Sequence, residues 1–259
     1  MTQQHPWTRY VAIGDSFTEG IGDPEPDSPG GNRGWADRVA EVLSEGATDF
    51  AYANLAIRGR LLQQIMDEQI DAALELRPDL ISFSAGGNDI IRPGTDPDEV
   101  AARFELAVER LRSQGATVIV FIGPDIGLTP VLGRVRGKVA IYNENVRAIA
   151  VRHDAIVADM WSLTALKDPR MWAADRLHFS PVGHHTIARM VLSSLNVEND
   201  LEPYKPEPLP KVSWRQAREG DMTWARTHLV PWVVRRIRHQ SSGDGVTPKR
   251  PGFPHIPEQ

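Results

Sequence analysis

The chain has 259 residues, no cysteine and a formal net charge of −5, with 41% hydrophobic and 24% charged residues. This length holds one large α/β domain or a domain with an appendage, and the lack of cysteine excludes disulfides, Cys-bound zinc, Fe–S clusters and a thiol nucleophile. The charge averages two unlike parts: residues 1–210 carry 20 Lys+Arg against 30 Asp+Glu, whereas residues 211–259 carry 9 against 4. An acidic body argues against a nucleic-acid partner, which would demand a basic face. No basic stretch followed by an apolar one opens the chain, and no run approaches the roughly 18 to 20 apolar residues of a spanning helix. The expectation is a soluble, cytoplasmic protein.

Over the first 195 residues short apolar runs alternate with longer amphipathic ones. Tyr10–Gly14 reads as a buried strand and Gly34–Ser44 as a helix. Phe50–Ala56 is a second strand, followed by a helix over Leu61–Leu76 in which Leu62, Ile65, Met66, Gln69 and Ile70 form the buried stripe. Leu80–Ser84 follows Arg77-Pro78, where proline disfavours further helix. Asp98–Ser113 is a charged helix with Ala101, Phe104, Val108 and Leu111 on one face. Thr117–Ile122 is apolar and β-branched, as burial on both faces requires. A helix over about Lys138–Arg152, a strand at Ala155–Ala158 and a helix opened by Ser180-Pro181 complete the series. Five strands alternating with helices predict one doubly wound parallel sheet, whose active crevice lies beyond the carboxyl ends of the strands.

After Asn196 the character changes. Residues 197–212 are proline-rich, with four prolines in the nine residues Glu202–Pro210, and read as a linker or an extended wrap. Residues 213–239 read as a basic helical extension containing Trp214, Trp224 and Trp232, with Trp224, His228 and Trp232 on one stripe. The Gly-, Pro- and Ser-rich residues 240–259 read as disordered. The extension admits three readings: packing back onto the acidic body, walling an acyl pocket, or lying on an anionic lipid surface.

Chemistry-bearing residues sit at the predicted strand ends. Gly14-Asp15-Ser16 ends the first strand; Ser16 either caps a helix or presents its hydroxyl where a helix N-terminus offers N–H donors. Gly59, after the second strand, is a turn residue or a backbone N–H able to approach a substrate closely. Gly86-Gly87-Asn88-Asp89 ends the third strand, and the Asn88 amide can donate to an oxyanion. Asp175-Arg176-Leu177-His178 precedes the last helix; an Asp three residues earlier can hold one ring nitrogen and leave the other facing a serine.

In their order these blocks resemble those of the SGNH (GDSL) hydrolases, over roughly residues 8–195. The resemblance implies a three-layer α/β/α sandwich with a five-stranded parallel, flavodoxin-like sheet over residues 1–196, plus the C-terminal helical extension. It implies Ser16 as nucleophile, His178 as general base and Asp175 as its orienting acid, with the Ser16 and Gly59 N–H groups and the Asn88 side chain binding the oxyanion. Members cleave esters and thioesters without metal or organic cofactor, so none is expected here. Asp15 and Asp89 are expected to fix their loops by hydrogen bonding.

Several other residues compete for these roles. His184 and His185 rival His178 but fall inside the last helix, and His153 reads as a surface residue. Gly20-Ile21-Gly22-Asp23 lacks the third glycine of a dinucleotide fingerprint. Asp23, Glu25 and Asp27 lack calcium-loop spacing and read as a solvated loop. The expectation is a serine esterase acting on a small-molecule ester of short or medium acyl chain, with a carbohydrate O-deacetylase or acyl-thioesterase as alternatives. A silent scaffold binding a partner through its tail is the non-enzymatic alternative.

Overall fold

A computed structural model describes residues 5–127, 129, 132–209, 213–231 and 241–253. Five strands, β1 (Arg9–Gly14), β2 (Ala51–Asn54), β3 (Leu80–Ser84), β4 (Thr117–Ile122) and β5 (Ile156–Asp159), form one sheet in the order β2-β1-β3-β4-β5. Every pairing is parallel, with Tyr10 opposite Tyr52 and Leu80, and Ile119 opposite Ile156. Chain order reverses between β1 and β3, the place where open α/β sheets leave a crevice.

Side-chain alternation along the strands feeds two cores. Val11, Ile13, Ile81, Phe83, Val118 and Val120 face one side. There they meet Leu62, Ile65 and Ile70 of α3 (Leu62–Glu75), Phe104 and Val108 of α5 (Pro97–Arg112) and Val146 of α6 (Arg136–Arg152). Tyr10, Ala12, Leu80, Ile119 and Phe121 face the other, against Trp35 and Val39 of α2 (Gly34–Glu45) and Ile187 and Val191 of α7 (Pro181–Ser194). The result is a sheet covered on both faces, the three-layer α/β/α arrangement. Helix caps follow local chemistry: Asp96 accepts from the Asp98 N–H at the start of α5, and Ser180 accepts from the Gly183 N–H at the start of α7. Two four-residue helices beside the crevice, α1 (Ser16–Glu19) and α4 (Gly87–Ile90), are too short to leave a periodic signal in sequence. Among the described residues no helix is long and apolar enough to cross a membrane.

Beyond α7 the described residues make contacts with the body. Residues 197–209 run extended beside α7, where His185 Nε2 meets the Glu202 carbonyl at 2.8 Å and Arg170 stacks on Tyr204. Helix α8 (Trp214–Trp224) opens the extension and continues into a wider turn over Ala225–Leu229. Trp232 and the rest of 232–240 lie outside the described residues.

The expectation of disorder over residues 240–259 does not hold for 241–253. Arg250 exchanges backbone hydrogen bonds with Asn54, adding an antiparallel bridge beside the edge strand β2. The Lys249 ammonium enters the body to Asp37 at 3.0 Å, and also donates to the Asn32 and Arg33 carbonyls. Both side chains are almost completely buried, 2% and 3% exposed. Phe253 packs against the core beneath Arg9. Composition marks this segment as poor in apolar residues; one buried ion pair and a backbone bridge hold it instead.

Candidate active site

The β1–α1 turn places Ser16 at the N-terminus of α1. Asp15 caps that helix, accepting the Phe17 N–H at 3.1 Å. The buried Gln69 side chain holds Gly14 from α3, accepting its N–H at 2.8 Å and donating to its carbonyl at 2.9 Å. The sequence reading assigned Gln69 only to an apolar stripe. An amide at a fully buried position needs polar partners, and that requirement was the available signal.

His178 Nε2 lies 3.1 Å from Ser16 Oγ, and its Nδ1 lies 2.6 Å from Asp175 Oδ2. The other Asp175 oxygen accepts the Leu177 and His178 N–H groups, both at 3.0 Å. Burial alone would push the Asp175 carboxyl up, but the His178 hydrogen bond and charge and the two backbone donors outweigh it and hold it at about 2. An ionised Asp175 only accepts, so Nδ1 carries the proton and Nε2 presents its lone pair to the Ser16 hydroxyl.

The rival histidines face elsewhere. His184 is fully buried; its Nδ1 accepts the Trp35 N–H at 3.2 Å and its Nε2 donates to the Ile21 carbonyl at 3.1 Å. Burial pushes its pKa down to about 4. His153 meets Glu105 at 2.9 Å. Asp23, expected in a solvated loop, is buried: it accepts the Gly34 N–H and pairs with Arg38 at 2.8 Å, because the loop folds under α2.

Across from His178, the β2–α3 turn carries Gly59 at φ +76°, a left-handed conformation that favours glycine. Among the described residues neither the Ser16 nor the Gly59 N–H donates to a protein acceptor. Buried Glu19 of α1 accepts the Arg58 N–H at 2.6 Å and the Arg58 Nε–H at 2.9 Å. This ion pair, which the sequence reading missed, ties the Gly59 turn to the helix that starts at Ser16.

Asn88 stands in α4 on the cleft wall, its amide donating at 3.1 Å to Asp15 Oδ2 and to the Arg60 carbonyl. Asp89 accepts the Leu62 N–H at 2.9 Å, joining α4 to α3. Burial raises both acids, Asp15 to about 6.

Ser16, Gly59, Asn88 and His178 line a cleft of about 760 Å³. Towards β4 and α6 its wall is apolar, with Phe121, Ile126, Leu132, Val139 and Tyr142. At the β2 end it is polar, with Arg58, Gly59, Ser241, Ser242 and Asp244. Among the described residues no group of three or more His, Asp or Glu side chains is placed to hold a metal ion. A serine hydroxyl hydrogen-bonded to an oriented imidazole, beside two N–H groups with no acceptor among the described residues, can add to a carbonyl and hold the resulting oxyanion.

Several solved structures share this fold. They include Axe2, an acetylxylan esterase from Geobacillus stearothermophilus, with TM-score 0.59 and 20% identity over 76% of this chain and 98% of that one. TesA aligns with TM-score 0.59 and 20% identity over 72% and 97% of the two chains. LAE5, an alpha/beta hydrolase enzyme from the metagenome of Lake Arreo, aligns with TM-score 0.61 and 21% identity over 73% and 95%. In sequence, the uncharacterized protein YpmR of Bacillus subtilis (strain 168) is 29% identical over 88 residues, 32% of either protein. This chain therefore matches about a third of that relative's length. The sequence profile of the GDSL-like lipase/acylhydrolase family matches residues 12–186, which is more than half of the chain and spans both Ser16 and His178. The chain belongs to the GDSL-like lipase/acylhydrolase family.

Proposed function

We propose that the protein hydrolyses carboxylic esters through an acyl-enzyme formed on Ser16. The observation that carries this reading is the unbroken series Asp175–His178–Ser16, at 2.6 and 3.1 Å, opening onto a cleft where the Ser16 and Gly59 N–H groups have no acceptor among the described residues. His178 Nε2 takes the Ser16 proton as Oγ bonds to the ester carbonyl carbon, and Asp175 stabilises the imidazolium. The carbonyl oxygen becomes an oxyanion held by the two N–H groups and by Asn88, whose Nδ2 hydrogen passes from the Arg60 carbonyl to the oxyanion. Collapse breaks the bond to the leaving alcohol, which receives the proton from His178. Water, deprotonated by His178, then releases the acid and restores Ser16.

The apolar wall towards β4 suits a hydrocarbon acyl group of small or medium length, and a cleft of this volume suits a small-molecule substrate. A second reading, deacetylation of a sugar ester, draws support from the polar end at Ser241, Ser242 and Asp244; Axe2, of like fold, is an acetylxylan esterase. Acyl-thioester cleavage uses the same groups. The test is a p-nitrophenyl ester series from acetate to palmitate, beside an acetylated xylooligosaccharide and an acyl-CoA, for the intact protein and Ser16→Ala. The reading expects p-nitrophenyl acetate turnover that disappears in Ser16→Ala. No turnover of any ester by the intact protein sinks it and favours a silent scaffold.

A further inference from the structure

The family profile ends at residue 186, yet the cleft wall includes residues from the far C-terminus. The turn Ser241–Asp244 lies on the Arg58–Gly59 peptide, the unit that carries the Gly59 N–H. A methyl group built on Gly243 would stand 2.1 Å from the Arg58 carbonyl oxygen. One built on Gly59 would meet Ser241 Oγ at 2.6 Å and Ser242 Oγ at 3.0 Å. The peptide is thus covered by the turn, while Glu19 grips the Arg58 N–H from within the body.

The turn has its own bracing. Asp244 accepts the Ser241 N–H at 2.9 Å and faces Arg60 at 3.8 Å, and Ser241 Oγ accepts the Gly243 N–H at 3.2 Å. Five residues on, Lys249 is sunk onto Asp37 and Arg250 is bridged to Asn54. The segment is therefore pinned on one side of the turn to α2 and to the end of β2, the strand that leads into the Gly59 loop.

We propose that the Ser241–Asp244 turn is a positioning element for the oxyanion-binding peptide. Gly243 is the contact that sets where the Gly59 N–H points, and Ser241 and Ser242 bound the substrate cleft beside it. The inference rests on the assignment of Gly59 as an oxyanion donor. It gives the C-terminal extension a role in the chemical step, through a residue far along the chain from any catalytic block. A hydrogen-bond donor to a developing charge acts only within a narrow geometry, so a small displacement of the peptide weakens the transition state more than the bound ester.

The test uses the full chain with Gly243→Ala, and Gly252→Ala as a control in the same segment, since a methyl on Gly252 meets nothing within 4 Å. For p-nitrophenyl butyrate, Gly243→Ala is expected to lower kcat about 10- to 100-fold with KM within about twofold. Inhibition by an alkyl trifluoromethyl ketone, which Ser16 converts to a bound hemiketal oxyanion, weakens by the same factor. The matching alcohol, which has no oxyanion, binds as before. Asp244→Ala, an exposed change that frees the turn, moves kcat in the same direction and carries the test if Gly243→Ala does not fold. Unchanged kcat and ketone inhibition in these variants overturn the proposal, as does an equal loss in Gly252→Ala. A wild-type protein that neither hydrolyses esters nor binds the ketone overturns the hydrolase reading instead. Loss in Asn88→Ala but in neither tail variant leaves that reading standing and removes this one.

Discussion

The indole N–H of Trp224, at the end of α8, donates to the backbone carbonyl of Asp175 at 2.9 Å. Arg176, the next residue, stacks on the Trp224 ring and pairs with Asp221 of the same helix at 2.7 Å. Arg176 holds φ +56°, which costs an L-residue roughly 1–2 kcal/mol. The loop that orients the His178 ring is thus held partly by the C-terminal extension.

Trp224→Phe keeps the ring and removes the donor. A net hydrogen bond of about 0.5–1.5 kcal/mol corresponds to a loss of roughly two- to twelvefold. Because Asp175 holds the His178 ring and does not itself line the cleft, that loss should fall on kcat and leave KM in place. Steady-state kinetics on p-nitrophenyl butyrate check it; a shift confined to KM would place Trp224 in the substrate site.

Replacing the groups at the reaction centre separates their roles. Asn88→Ala is expected to lower kcat about 10²- to 10³-fold, the usual cost of one oxyanion donor. Asp175→Asn should cost about 10⁴-fold, because the amide favours the wrong imidazole tautomer. Circular dichroism of both variants should overlay that of the wild type, and retained esterase rates would refute the assigned roles.

The Lys249–Asp37 pair is the main anchor of the terminal segment. Among the described residues, Lys249→Met leaves a buried carboxylate with only Tyr52 at 2.8 Å and Arg250 at 3.6 Å, and breaking such a pair costs about 3–5 kcal/mol. Urea unfolding should show this loss, and the double variant with Asp37→Leu should recover part of it. Additive losses would mean that the two groups are not coupled.

Buried groups of opposite sign act on stability in mild acid. His184, lowered from 6.5 to about 4, stays neutral in the folded state, so folding loses stability as pH falls through that window. Asp15, raised from 3.8 to about 6, binds its proton more readily when folded, so it adds stability as pH falls from about 6 to 3.8. Relative to wild type, Asp15→Asn should lose stability more steeply between pH 6 and 4, and His184→Gln less steeply. Each slope is at most about 1.4 kcal/mol per pH unit. Asp175, lowered to about 2, contributes stability above pH 3.8 that disappears only below it. Denaturant melts from pH 7.5 to 3 distinguish these trends.

The sheet was legible because its strands are short apolar runs between amphipathic helices, a pattern set by burial on both faces. The blocks around Ser16, Gly59, Asn88 and His178 were legible for the same reason: each sits next to a strand end or helix start, so its place along the chain fixes its place at the crevice. Gln69 on Gly14, and Glu19 on Arg58, were not legible, since each depends on which polar side chain a buried neighbour needs once the layers close.

The terminal segment shows the limit most plainly. Its Gly-, Ser- and Pro-rich composition predicts disorder because composition registers apolar burial, and this stretch has little to bury. Sequence alone determined the family, the five-stranded parallel sheet and which residues stand at its strand ends. Only the tertiary structure decided that Lys249 reaches Asp37, that Arg250 bridges to Asn54, and that Gly243 rests on Arg58. Those contacts join residues some two hundred positions apart, through charges and backbone groups that no local periodicity reports.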